Sequence, residues 1–210
     1  EGALTRLRAH GDAGYRSTRA ADYVARLRSS PGLPALVGGN ALHWLDEVGV
    51  YSDPAAKGQG EGKAQWLVHR LGRAMGLAKR ELRVISPYFV PGEEGTRWLV
   101  GKRAQGVDVS VLTNSLAAND VMAVHGGYAP YRVPLLEGGV TLYELMPHGR
   151  QDSSLFGSSG ASLHTKAFVV DGESGFIGSF NMDPRSVSLN TEMGVVFHDR
   201  AIAAELLKSY

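Results

Sequence analysis

The chain has 210 residues, 43% of them apolar and 20% charged, with a formal net charge of +1 and no cysteine. This is enough to bury one core. The near-zero charge excludes the global field of a general nucleic-acid binder. The missing thiols exclude disulfides, thiolate metal sites and cysteine nucleophiles, and fit the reducing cytoplasm.

No apolar run approaches the roughly 18 residues of a spanning helix, and no signal-peptide core opens the chain, so a soluble or peripheral protein is expected. The chain opens on Glu1 with an Arg-dotted stretch (Arg6, Arg8, Arg16, Arg19, Arg26, Arg28), which reads as a cut from a longer protein. Residues 1–60 read as linker or the end of a preceding half. They hold a helical patch over Ala20 to Arg28, a Pro/Gly-rich stretch from Pro31 to Gly39, and a strand-like Glu47 to Tyr51 closed by Ser52-Asp53-Pro54.

From Gly62 the pattern strengthens, and residues 61–210 are expected to form the domain. Ala64, Leu67, Val68, Leu71, Met75 and Ala78 recur at helical spacing, with Lys63, Arg70, Arg73 and Lys79 on other faces. Strands are expected at Leu82 to Ser86, Val107 to Thr113, Val140 to Leu145, Lys166 to Asp171, Gly175 to Ile177 and Met193 to Phe197. Helices are expected at Glu94 to Gln105, Asp120 to Glu137 and Ala201 to Ser209. Such alternation predicts an α/β sandwich. Gly149 to Gly160 is polar and glycine-rich, a flexible loop placed to act as a lid, and there is no internal repeat.

The chemistry concentrates in His164-Thr165-Lys166, then Asp171, then Gly178-Ser179, with Asn181 and Glu192 following. A neutral imidazole can attack phosphorus, while a lysine ammonium with Ser and Asn side chains can bind oxygens on which negative charge develops. On an extended strand His164 and Lys166 share one face.

The pattern His-x-Lys-x4-Asp-x6-Gly-Ser, filled at every position, resembles the HKD motif of the phospholipase D superfamily. Gly178 to Ser186 and Leu189-Asn190-Thr191-Glu192 resemble the bacterial cardiolipin synthases in particular. Ser86-Pro87-Tyr88-Phe89-Val90-Pro91, Thr113-Asn114-Ser115 and Asp120 to Tyr131 extend the resemblance over about residues 45–210, to the C-terminal half of the C type.

The resemblance implies a phospholipase D-like α-β-α sandwich with a central mixed sheet. It implies phosphatidyl transfer between phospholipids through a phosphohistidine, without cofactor or metal. His164 would be nucleophile or general acid; Lys166 and Asn181 would bind the phosphoryl group, supported by Ser179. Glu192 would orient His164, and Asp171 would hold the loop. Tyr88, Asn114, His125 and Tyr128 would lie near strand termini as substrate contacts. His125 and Tyr128 are equally a packed pair at helical spacing. Arg185 is read as a brace to a carboxylate or a contact to lipid phosphate.

A superfamily site needs two motifs, and none of the other six histidines among the seven has a lysine two positions on. The second motif must come from a second half or another copy. The implied partners are that half, a phospholipid substrate and the cytoplasmic face of the membrane, with no nucleic acid.

Two alternatives stand beside this reading: a nuclease-like phosphodiesterase formed by two single-motif chains, and a non-catalytic half that docks on a membrane or partner. Other signals are weaker. Gly58 to Ala64 fails as a phosphate loop because Lys57 replaces its first glycine and Ala64 its Ser or Thr. Gly157 to Gly160 fails as a nucleophile elbow because Ala161 replaces the closing glycine. The basic helix Lys63 to Arg80 reads as a solvated face, with nucleic acid or anionic lipid as further readings. His10, His43, His69, His148 and His198 lack ligand-like spacing.

Overall fold

The computed structural model describes residue 25, residues 44–45, 47–119, 121–146, 163–208 and residue 210. The expected helix at Ala20 to Arg28, apart from residue 25, and the Gly149 to Gly160 loop lie outside the described residues, as do Asp120 and His148. Leu45–Tyr210 forms one compact unit.

Within it, seven strands form one sheet: β1 (Val48–Ser52), β2 (Glu81–Ile85), β3 (Asp108–Asn114), β4 (Thr141–Leu145), β5 (Lys166–Val170), β6 (Ser174–Gly178) and β7 (Met193–His198), in the order β1-β7-β6-β5-β2-β3-β4. The β2–β3 and β3–β4 pairings are parallel and the others antiparallel. This is the mixed sheet expected. Among the described residues five α-helices accompany it: α1 (Leu67–Gly76), α2 (Gly92–Ala104), α3 (Met122–Glu137), α4 (Pro184–Ser188) and α5 (Arg200–Leu207).

Strand alternation divides the core into two layers. On one face Leu82, Val84, Val109, Val111, Phe168, Val170 and Phe176 pack against Leu67, Leu71 and Met75 of α1, Leu99 of α2, and Tyr128 and Leu135 of α3. The four-residue spacing of the α1 residues is the apolar stripe legible in the sequence. On the other face, Val169 and Phe197 meet Ala203, Ile202 and Leu206 of α5, while Ile85, Leu112 and Ala167 meet Leu163, Leu206 and Tyr210. The result is an α-β-α sandwich whose second helical layer, among the described residues, is α5.

The stretch before residue 61 contributes to this fold. Val48–Ser52 pairs along its length with β7, and a 3-10 turn over Ala55–Gln59 buries Lys57. The helix expected from Gly62 starts later, at Leu67, after a separate turn over Lys63–Gln65. α4 has no counterpart in the sequence expectations. Asp183 caps it, accepting from the N–H groups of Arg185 and Ser186, with Pro184 in its first turn.

Candidate active site

Because β5 runs antiparallel to β2, its start lies at the edge of the sheet where β2, β3 and β4 end. β6 also ends there and β7 begins there. His164 therefore stands among the loop after β2, the loop after β3, and residues 179–192. Carboxyl ends of parallel strands are where open α/β sheets keep their sites.

His164 is exposed and Lys166, the first residue of β5, is buried. The lysine ammonium donates to the His164 carbonyl at 2.7 Å and lies 3.3 Å from Nδ1 of the same ring. The shared face expected of the pair is thus realised, with a cation against the imidazole. Gly178 pairs with Lys166, and a Cβ there would stand 2.5 Å from the Phe176 ring and 2.4 Å from the Met193 carbonyl. Only glycine fits beneath that ring.

Ser179, exposed just past β6, donates from Oγ to the Glu192 carboxylate and accepts from Met193 N–H at 3.0 Å. Glu192 is buried and accepts on Oε1 from Ser186 Oγ at 2.7 Å and Asn190 Nδ2 at 3.2 Å. The described bonds of its carboxylate go to these three residues. The bond to His164 implied by the resemblance is not among them.

Asn181 is buried, with its backbone N–H on Ser186 Oγ at 3.2 Å. Its Oδ1 has no hydrogen-bond partner among the described residues. A buried, unsatisfied amide oxygen costs about 1–3 kcal/mol. A ligand that supplies a donor recovers that cost.

Asp171 stands apart from this cluster. It follows β5 at the far end, five residues beyond Lys166 and so about 16 Å along the strand. Its backbone is left-handed, at φ 53°. Its carboxylate accepts from the N–H groups of Lys79, Arg80 and Glu81, tying β5 to the start of β2. Burial alone would raise its pKa; the three N–H donors and the Arg80 charge outweigh that and hold it below the usual carboxylate value. It shapes the fold at a distance from His164.

The weaker candidates divide. Tyr88 is half-buried on the loop after β2, its carbonyl accepting from Ser86 Oγ at 2.7 Å. Asn114 ends β3 with both amide atoms bonded to the Leu163 backbone: Nδ2 donates to the carbonyl at 3.1 Å and Oδ1 accepts the N–H at 2.9 Å. Tyr128 is buried between Phe89 and His125, ring centroids 5.6 and 5.8 Å away. Its hydroxyl donates to Glu144 at 3.0 Å. This is the packed-pair arrangement. His125 keeps a buried Nδ1 with no partner among the described residues. Arg185 is exposed, and its guanidinium has no carboxylate partner among the described residues.

Sequence reasoning missed Asp53, Lys57, Ser86 and Ser186. Ser86 Oγ accepts from Met182 N–H at 2.9 Å and so seats the segment carrying Asn181. Asp53 and Lys57 form an ion pair of 2.7 Å with both side chains fully buried. Asp53 before Pro54 carries only a turn signal in sequence.

Residues 71–210 match the family model described as "Cardiolipin synthase, PLD-like domain". The chain is 46% identical over 195 residues to cardiolipin synthase C of Escherichia coli, covering 90% of this chain and 41% of that protein. It is 29% identical over 175 residues to cardiolipin synthase A of Yersinia pseudotuberculosis, covering 83% of this chain and 32% of that one. The chain thus spans about two fifths or less of these curated relatives' length. The crystal structure of Nuc, a phospholipase D family member from Salmonella typhimurium, superposes with a TM-score of 0.55 at 21% identity, over 78% of this chain and 90% of that one, a likeness of fold. The match over residues 71–210, two thirds of the chain, makes this chain a member of the cardiolipin synthase, PLD-like domain family.

Proposed function

We propose that this chain is one HKD half of a phospholipase D-type phosphatidyltransferase that makes cardiolipin-type lipids through a phosphohistidine. The observation that carries the reading is the juxtaposition of His164 Nδ1 and Lys166 Nζ, 3.3 Å apart, at the edge that also bears Ser179 and Asn181.

In this reading His164 is paired with the histidine of a second motif. One ring nitrogen attacks phosphorus, forming P–N as the bond to the leaving glycerol oxygen breaks; the other histidine protonates that oxygen. The acceptor hydroxyl then attacks, giving its proton back to the second histidine as P–N breaks. Two inversions give net retention. Lys166 neutralises charge on the phosphoryl oxygens, and Asn181 would serve them through its Nδ2 donor. Its Oδ1, an acceptor with no partner among the described residues, would take a donor such as a substrate hydroxyl. His164 serves in either position of the pair.

Two surfaces support the proposed partners. Val50, Val195 and Ile177 lie across from one another on the sheet face that α5 covers only in part. Val50 and Ile177 are exposed, as is Met193 beside them. The second half would cover this apolar face, since the relatives contain chain enough for it. Leu116, Val121, Met122, Met146 and Leu189 are exposed at the same edge of the sheet as His164. They suit peripheral contact with a bilayer at its cytoplasmic face, and no described helix is long and apolar enough to cross one.

The test is a mass-spectrometric assay for cardiolipin with phosphatidylglycerol vesicles, with and without phosphatidylethanolamine, on the full-length two-motif protein and its His164→Ala variant. Loss of turnover in the variant supports the reading; a retained rate above about a hundredth of the parent sinks it. Release of phosphatidic acid alone would mean water is the acceptor.

A further inference from the structure

We infer that the buried Asp53–Lys57 pair is a positioning element for the HKD half-site, fixing Glu192 and Ser186 so that Ser179 and Asn181 are held for phosphoryl transfer. The inference rests on the proposal that those last two residues serve the reaction.

Both side chains of the pair are fully buried. Taking two charges out of water is expensive, and apolar side chains of similar volume fill such a space without that cost. The hydrogen bonds show where the pair acts. Asp53 Oδ2 accepts from Lys57 Nζ at 2.7 Å and from Glu192 N–H at 2.9 Å. Asp53 N–H donates to the Glu192 carbonyl at 2.8 Å, so the backbone of Glu192 is gripped at both polar atoms. Lys57 Nζ donates to the Ser186 carbonyl at 2.8 Å. One bond alone serves another purpose: Asp53 Oδ1 accepts from Leu67 N–H at 2.7 Å at the start of α1.

The two gripped residues are those that hold the motif side chains. Glu192 accepts from Ser179 Oγ, and Ser186 Oγ joins the Glu192 carboxylate to the backbone N–H of Asn181. A chain of hydrogen bonds therefore runs from Lys57 and Asp53, through Ser186 and Glu192, to Ser179 and Asn181. The pair is more than a hundred residues away in sequence, and among the described residues its hydrogen bonds reach Glu192 and Ser186 through their backbone atoms. Its effect on turnover is transmitted through two backbone positions.

The experiment compares the Asp53→Asn/Lys57→Met double variant with the full-length parent. Asparagine keeps an acceptor for Leu67 N–H, and methionine fills the volume of the lysine stem. Folding is checked by circular dichroism and thermal melting, and rates are expressed per folded molecule. The expected result is a kcat for phosphatidyl transfer lower by about 100-fold. KM for phosphatidylglycerol should stay within about twofold, because the loss falls on positioning in the transition state. Where the double variant does not fold, Lys57→Gln replaces it, keeping a donor for the Ser186 carbonyl; a kcat loss of about tenfold at unchanged KM is expected. A lowered melting temperature with kcat per folded molecule unchanged overturns the inference and leaves the pair purely structural. A His164→Ala control that keeps turnover instead overturns the underlying reading of the site.

Discussion

The side-chain amide of Asn114 holds the backbone of Leu163 at both polar atoms, with bonds of 3.1 and 2.9 Å. This places the residue before His164 against the end of β3 in the way a further strand would. Asn114 therefore acts on the His164 segment from behind it. Asn114→Ala removes both bonds, and a stability loss of about 2 kcal/mol is expected. With the lead into β5 released, phosphatidyl transfer should fall by about 10–100-fold. Asn114→Asp keeps the acceptor for Leu163 N–H and should lie between. Urea unfolding beside the cardiolipin assay checks this, and a fully active, unshifted alanine variant would refute it.

Asp171 carries a pH dependence whose sign follows from its surroundings. Burial pushes its pKa up, but the N–H donors of Glu81, Arg80 and Lys79 and the Arg80 charge outweigh that, so the folded value is depressed. A depressed carboxylate contributes stability above its unfolded value, about 3.9, and loses that contribution as pH falls through the lower folded value. Asparagine tolerates the left-handed backbone at φ 53° and keeps one acceptor, so Asp171→Asn isolates the charge. The variant should be less stable than the parent at neutral pH, and the gap should close between about pH 4 and the folded pKa. Chemical denaturation across that range measures it. A gap that widens on acidification would be the wrong sign.

These two residues mark how far the sequence could be read. His164, Lys166, Ser179, Asn181 and Glu192 fall in one segment at fixed spacing, so they could be grouped as a motif before the fold was known. The strands of the core announced themselves because β5 is buried on both faces and apolar after Lys166, and β3 carries Val109, Val111 and Leu112 along a stretch buried on both faces. Asp53 and Lys57 gave no such signal, because they bind Glu192 and Ser186 largely through backbone atoms that leave no mark on residue choice. α4 is five residues long, too short for a helical period, and is nucleated by the Asp183 cap. β1 is an edge strand with exposed Val48 and Val50, so its pattern looked too thin for a domain. Asn114 ends β3 and Tyr128 lies inside α3, and whether an amide or phenol faces substrate or protein is decided by tertiary contacts.

Tyr128 gives a clean separation of those roles. Burial first, then the Glu144 charge, push its phenol pKa well above the ordinary value, so the hydroxyl stays protonated and donates to Glu144. Glu144 is also paired with Arg132 Nε at 2.8 Å, so it keeps a partner when the hydroxyl is removed. Tyr128→Phe should cost about 1 kcal/mol and leave the ring contacts to Phe89 and His125 intact. Phosphatidyl transfer should stay within about twofold of the parent. A selective rise in KM would instead make the hydroxyl a substrate contact.

Glu192 sits where stability and activity meet. Its buried carboxylate is the acceptor for Ser179 Oγ, Ser186 Oγ and Asn190 Nδ2. Glu192→Ala removes the acceptor of all three donors: Ser186 Oγ is stranded in a fully buried site and Asn190 Nδ2 in a half-buried one, while the exposed Ser179 Oγ keeps the Met193 carbonyl at 3.3 Å. The expected destabilisation is about 2–4 kcal/mol, at the upper end for a single substitution. Glu192→Gln keeps the volume and one acceptor, but its amide nitrogen must face one of the donors, so a loss of about 1–2 kcal/mol is expected. Turnover should fall in both, because Ser179 and Asn181 lose the residue that fixes them, and the two effects separate in the glutamine variant, which remains folded at assay temperature. Differential scanning calorimetry with the lipid assay reads both. An alanine variant as stable as the parent would show that the three donors find other acceptors and that Glu192 does not organise the loop.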